Sequence, residues 1–116
     1  MSQKIEEFKQ FRDKMNQRIL GSNHLEIKRF FALDSAAYRD GALPGKVKEL
    51  LGLVASLVLR CNDCVTYHLL RCVESGYSDE EIIDAFNVAL VVGGSIVIPH
   101  LRVAFARLDE IRSRSS

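Results

Sequence analysis

Residues 49–72 read ELLGLVASLVLRCNDCVTYHLLRC, and the fold turns on how this stretch is read. Its first half contains LLGLVASLVL (50–59), which is apolar, falls well short of the ~20 residues that span a bilayer, and lacks the alternation of a half-buried strand. It therefore reads as a buried helix. The second half places Cys61, Cys64 and His68 at i, i+3 and i+7. On a helix these positions lie within about 60° of one another and share a face. Cys61 and Cys64 are then close enough to pair reversibly. If RCND marks a helix start, with Asn62 or Asp63 near the cap, the N-terminal dipole and Arg60 both favour thiolate over thiol. His68, one turn beyond Cys64, is placed to take or return a proton.

Outward from this stretch, helical spacing continues in both directions. Ile5, Phe8, Phe11, Met15 and Ile19 form one apolar stripe along residues 3–20, and Gly21 ends it. A second helix is expected over 24–40, with Ile27, Phe30, Phe31 and Leu33 as its apolar residues, before the turn-rich DGALPG at 40–45. A third runs from Lys46 to about Arg60 and a fourth over 62–75. Gly76 suits the left-handed position past a helix end. Ser78 and Glu81 have capping-box spacing, so a fifth helix begins there and runs to Gly93-Gly94. A last helix carries Ile98, Leu101, Phe105, Leu108 and Ile111, with Pro99 near its first turn or kinking it. The expected fold is all-α, about six helices.

The 116 residues are the size of one domain, and 47% hydrophobic content is enough for a compact core. Sixteen basic and fifteen acidic side chains leave a net charge of +1, so no field of one sign is present to hold a nucleic acid or an anionic membrane. The N-terminal MSQKIEEFKQFRDKM carries acids and has no apolar block followed by small residues, so it is read as neither signal nor transit peptide. The expected location is cytoplasmic, where a close cysteine pair points to metal binding or redox turnover more than to a static crosslink. The helices at 46–60 and 80–92 are apolar over most of their circumference, which implies a homo-oligomer.

Several readings of the cysteines stand side by side. Two thiolates and an imidazole, joined by His100, would satisfy a zinc ion in number, yet the chain has no second C-x-x-C. A thioredoxin-type motif needs a βαβ context absent here. Three cysteines in an apolar helix can also simply pack. Cys72 lies about 12 Å along the axis from Cys64, beyond disulfide reach, and is assigned to the core. Lys46, Glu49, Ser56 and Arg60 fall on one side of their helix and, from periodicity alone, read as its solvated stripe. No Gly-rich cofactor fingerprint is present, since Gly93-Gly94 lacks the spacing and the preceding strand. No cofactor is expected. A pocket lined by Phe30, Phe31, Leu53 and Ile98 is expected from their apolarity.

Glu49, eleven intervening residues, then Cys61-x-x-Cys64-x-x-x-His68 closely resembles the core signature of the AhpD-like (alkylhydroperoxidase D-like) proteins of the carboxymuconolactone decarboxylase superfamily. The similarity extends over roughly 30–110, including YSDEEIIDAFNVALVVGG. The resemblance implies one all-helical domain over 1–116 that assembles as dimers, trimers or hexamers. It also implies a thiol-dependent peroxidase: Cys61 and Cys64 as the redox couple, His68 as proton shuttle and Glu49 as its acidic partner. The substrates would be a hydroperoxide and an external dithiol or thiol protein. The best-known members of the family carry a second histidine immediately before the second cysteine, where this chain has Asp63. That carboxylate opposes thiolate formation, and His100 is a candidate stand-in for the missing base. A redox-sensing module using the same pair, and a zinc-binding structural protein, are the alternatives.

Overall fold

The computed structural model describes residues 2–114. They form six α-helices: α1 (Gln3–Leu20), α2 (Leu25–Ala37), α3 (Gly45–Val58), α4 (Asn62–Glu74), α5 (Asp79–Gly93) and α6 (Ile98–Ile111), with a 3-10 turn at Ser95–Val97 between the last two. Among the described residues there is no strand, and no helix is long and apolar enough to cross a membrane. α3 is central, packed between α4 and α5; α6 lies on α4, and α1 on α6. The core is one cluster that draws Ile5 from α1, Leu53 and Leu57 from α3, Val65, Leu69 and Cys72 from α4, Ile82 and Phe86 from α5, and Leu108 from α6.

The helix ends follow local chemistry. Ser78 Oγ accepts the Glu81 N–H at 3.1 Å while the Glu81 carboxylate accepts the Ser78 N–H at 2.9 Å, so the expected capping box forms. These bonds, first from the Ser78 backbone and then from its side chain, hold the Glu81 carboxyl below the usual carboxylate range. Gly76 takes φ +90 after α4, and the Tyr77 N–H reaches back to the Cys72 carbonyl at 3.2 Å, the six-to-one bond of a Schellman end. Pro99 sits in the first turn of α6, where its missing N–H costs nothing.

The link from α3 to α4 uses the same end without a glycine. Arg60 takes φ +62, the Cys61 N–H bonds the Ser56 carbonyl at 3.0 Å, and the Arg60 N–H bonds the Leu57 carbonyl at 3.0 Å. A left-handed non-glycine residue costs about 1 kcal/mol, which these two bonds offset. Cys61 therefore closes α3 and, as the residue before Asn62, also opens α4.

Two expectations need correction. α2 spans 25–37 rather than 24–40 because His24 and Tyr38 are its caps, and none of its residues is buried. Glu49 and Ser56 do not belong to a solvated stripe: they are 4% and 7% exposed, since the face of α3 that carries them is turned toward α4. Gly52 lies on that face, and a Cβ there would come within 2.7–2.9 Å of the His68 ring.

Gly52 is therefore the contact at which α3 and α4 approach. Gly52→Ala should lower stability by about 1 kcal/mol net, because overpacking of roughly 1–3 kcal/mol outweighs the roughly 1 kcal/mol helix-propensity gain; urea unfolding would measure it. Ser78→Ala should cost about 1 kcal/mol through loss of the cap, read as a fall in Tm of a few degrees.

Candidate functional site

α4 begins at the cysteine pair. Cys61 and Cys64 are joined by a disulfide, with Cα atoms 5.3 Å apart. Cys61 is itself the N-cap, so neither Asn62 nor Asp63 is: its sulfur accepts the Cys64 N–H at 3.2 Å. A sulfur held there meets the free N–H groups and positive dipole end of α4, which favour a thiolate once the bond is reduced. Cys61 is half-buried and Cys64 exposed.

One turn beyond Cys64 on α4, His68 is buried at 8% exposure. Its Nδ1 lies 2.9 Å from Glu49 Oε2. An ionised carboxylate only accepts, so Nδ1 carries the proton and donates, leaving Nε2 to exchange protons on the other side. Nε2 faces the Tyr38 hydroxyl at 3.4 Å. Burial, then the nearby Asp34 and Glu49 carboxylates and Tyr67, push the Tyr38 phenol above its ordinary pKa, so it stays protonated and can donate to Nε2. The other oxygen of Glu49, Oε1, lies 3.7 Å from Arg71 Nε.

Cys64 and His68 line one small cavity of about 180 Å³ together with Tyr38, Tyr67, Arg12, Asp34 and Asp63. A larger cleft of about 700 Å³ adjoins it through shared residues, with Phe30, Phe31, Glu49 and Arg71 in its wall. Arg12 belongs to both linings, its guanidinium 3.9 Å from the centre of the Tyr67 ring.

Of the expected residues, Cys64 and His68 share this cavity, Glu49 is bonded to His68, and Cys61 is bonded to Cys64. Asp63 is exposed and lines the cavity beside Cys64. His100 is engaged elsewhere, its Nδ1 2.8 Å from Asn62 Oδ1 at the start of α4. Arg60 is exposed, and no ion pair holds it among the described residues. Phe30 and Phe31 line the cleft as expected, but Leu53 is fully buried in the core and Ile98 lies away from the lining; both are apolar for packing. Cys72 is buried, and burial, with Glu49 adding to it, pushes its thiol up to about 12. Among the described residues no group of three or more His, Cys, Asp or Glu side chains is arranged to hold a metal ion, so the set Cys61, Cys64, His68 and His100 is not assembled as ligands.

Sequence reasoning missed Tyr38, Tyr67, Arg71 and Arg12 at this site: Arg12 and Tyr38 arrive from α1 and from the α2 cap, which no local pattern reveals, whereas Tyr67 and Arg71, three and seven residues after Cys64 on the same face of α4, could have been found from helical spacing. Gly52 carried a readable signal: a glycine inside an apolar helix marks a close approach.

The sequence pattern of the carboxymuconolactone decarboxylase family matches residues 27–107. Two crystal structures of TM1620 from Thermotoga maritima are 58% identical to the chain. One has a TM-score of 0.90, covering 93% of this chain and 95% of that one; the other has 0.88, with 92% and 91% covered. TM1620 is a carboxymuconolactone decarboxylase family protein for which a part in the antioxidative response has been suggested. A carboxymuconolactone decarboxylase family protein of Legionella pneumophila, apo-lpg0406, shares the fold at 24% identity and a TM-score of 0.80, over 99% of this chain and 100% of that one. The Paracoccus denitrificans protein called "Uncharacterized protein 4 in cox locus" is 32% identical over 82 residues, 71% of this chain and 74% of that protein. With Glu49, the cysteine pair and His68 set out along α3 and α4 as described, this chain belongs to the carboxymuconolactone decarboxylase family as an AhpD-like member.

Proposed function

We propose that this chain is a thiol-dependent peroxidase and disulfide oxidoreductase, acting as one domain, in which Cys61 and Cys64 are the redox couple and Glu49 and His68 relay protons. The observation that carries this reading is the exposed Cys64 in one cavity with His68, whose far side is held by the buried Glu49. The suggested antioxidative role of TM1620 agrees with it.

The cycle opens with an external dithiol. Its thiolate attacks the Cys61–Cys64 bond, passes through a mixed disulfide and leaves as its own disulfide, with two protons delivered to the two protein thiols. Cys64, exposed and in the cavity, then attacks the distal oxygen of a hydroperoxide as thiolate. The O–O bond breaks, Cys64 becomes a sulfenic acid, and the departing alkoxide takes a proton to leave as alcohol. Cys61 attacks that sulfenic sulfur, the disulfide re-forms, and water is released. The sum is one hydroperoxide and one dithiol converted to alcohol, water and disulfide. His68 Nε2 holds or returns the proton at each step, and Glu49 stabilises the imidazolium that forms. Arg71 balances the Glu49 charge from outside. The natural setting of such a cycle is a reducing, cytoplasmic one that replenishes the dithiol, and the chain works there as a homo-oligomer.

Asp63 favours a second reading. A carboxylate lining the cavity beside Cys64 raises the cost of the thiolate, so oxidation without fast recycling, as in a redox sensor, is the alternative.

Steady-state consumption of cumene hydroperoxide with dihydrolipoamide as reductant tests the proposal. Cys61→Ser and Cys64→Ser should each abolish turnover, and full turnover by either variant overturns the cycle. Glu49→Gln and His68→Asn should each lower kcat by about 10²-fold, in the range of lost general acid–base catalysis. A single oxidation with no recycling would instead support the sensor. Thiol titration provides a separate check. The native oxidised protein should show no reactive thiol, and mild reduction should expose two. Cys72 should react only after denaturation, because a thiol buried with a pKa of about 12 is not a thiolate at neutral pH.

A further inference from the structure

Among the residues that line the small cavity at Cys64, Arg12 is the only lysine or arginine. Asp34 and Asp63 face the same space as carboxylates, while His68, Tyr38 and Tyr67 complete the wall. Asp63 is the residue next to Cys64 and stands in the first turn of α4. Without Arg12 the fixed charges around the sulfur would all be negative, and negative neighbours disfavour a thiolate. Arg60, the cation nearest the pair in sequence, is exposed and lines neither this cavity nor the adjoining cleft.

The position of Arg12 on α1 calls for a reason. Ile5, Phe8, Arg12 and Asn16 follow one another at three- and four-residue spacing and share the inward face of the helix; Ile5 is buried and the other three are half-buried. A guanidinium on that face is held by stacking on Tyr67, 3.9 Å from the ring centre. Tyr67 lies three residues after Cys64, so the helix that carries the sulfur also carries the platform for the cation. No ion pair or side-chain hydrogen bond holds Arg12 among the described residues. Its N–H donors are thus left for a group inside the cavity, and a guanidinium keeps its charge throughout the physiological range.

We propose that Arg12 is the cation that makes Cys64 reactive: it offsets Asp34 and Asp63, stabilises the Cys64 thiolate after reduction, and then stabilises the alkoxide that leaves when the hydroperoxide is cleaved. In that step the sulfur electron pair forms the S–O bond, the O–O pair departs on the alkoxide oxygen, and a proton from the His68 imidazolium neutralises it. Negative charge passes from sulfur to oxygen inside a cavity with one guanidinium in its wall, and that guanidinium needs no rearrangement between the two. The second part of the role rests on the proposed peroxidase cycle; the effect on the reduced thiol does not.

Alkylation by iodoacetamide, measured on the full chain carrying Cys61→Ser so that Cys64 is free, tests the thiol without any peroxide. Cys72 is buried and does not compete. At pH 7, Arg12→Gln should slow the reaction about tenfold, the effect of one nearby cation on a thiol–thiolate balance. At pH 10 the rates with and without Arg12→Gln should agree within about twofold, because Cys64 is then ionised in both. Arg12→Lys should keep most of the rate, Arg60→Gln all of it, and Asp63→Asn added to Arg12→Gln should restore it. Equal rates at pH 7 overturn the proposal. So does a slowing that is the same at both pH values, which would mean that Arg12 only shapes the entrance. Arg12→Lys or Arg60→Gln as slow as Arg12→Gln, or no recovery with Asp63→Asn, overturns it too. Should Arg12→Gln fail to fold, the Nε–H resonance of the native Arg12 decides: it should move as Cys64 ionises, with the midpoint of the alkylation profile, and a resonance that stays put overturns the proposal. With cumene hydroperoxide and dihydrolipoamide, Arg12→Gln in the chain with both cysteines should lower kcat/KM about tenfold at pH 7, and an active enzyme left unchanged by it overturns the role in peroxide cleavage. The full alkylation pattern in a protein without peroxide turnover would sink the peroxidase cycle and leave the action of Arg12 on Cys64 standing.

Discussion

The hydrogen bond between Glu49 and His68 is the constraint around which the rest is arranged. A carboxylate removed from water is costly unless it is paired and fully bonded. Here the imidazole satisfies one oxygen at 2.9 Å and Arg71 approaches the other at 3.7 Å. Breaking such a pair from one side leaves a buried charge exposed to nothing, a loss of several kcal/mol. The bond therefore pins α3 to α4 in one register, and Gly52 is the residue that lets the imidazole lie flat against α3. Above it, the Arg60 reversal brings Cys61 to the start of α4, so the same helix pair that buries the acid and base also presents the sulfurs.

This arrangement sorts the three cysteines by environment. Cys61 and Cys64 meet the free N–H groups of a helix start and an open cavity, where a thiolate is stabilised and reachable. Cys72 lies in the apolar core, where desolvation keeps it protonated. Two residues eleven and eight positions apart from it in one short stretch thus have opposite chemistry, and the difference comes from solvent access and dipoles. Tyr38 and Arg12 supply the outer wall. Both come from the N-terminal part of the chain, the part with the least buried surface, so the inner half of the site is rigidly packed and the outer half is held by few contacts.

Much of the helical frame was legible. Ser78 with Glu81, Gly76 and Pro99 each act through bonds within a turn of themselves, and each does in the structure what its chemistry calls for. The α3–α4 reversal was not legible, because an arginine carries no mark of a left-handed backbone and a cysteine is an uncommon cap. The stripe of α1 was half right: Ile5 reaches the core, while Phe11 is two-thirds exposed. Periodicity shows that a face is apolar and not what it meets.

The sequence by itself determined the local elements, the spacing of Cys61, Cys64 and His68 along a helix, and the family signature that set Glu49 beside them. Those are short-range quantities, fixed by residue type and helical pitch. Only the tertiary structure decided that Glu49 is buried rather than solvated, that Tyr38 and not His100 faces His68, and that Leu53 belongs to the core and not to a pocket. Burial and partnership depend on which surfaces come together across long stretches of chain, and a buried carboxylate and a solvated one have the same helical spacing.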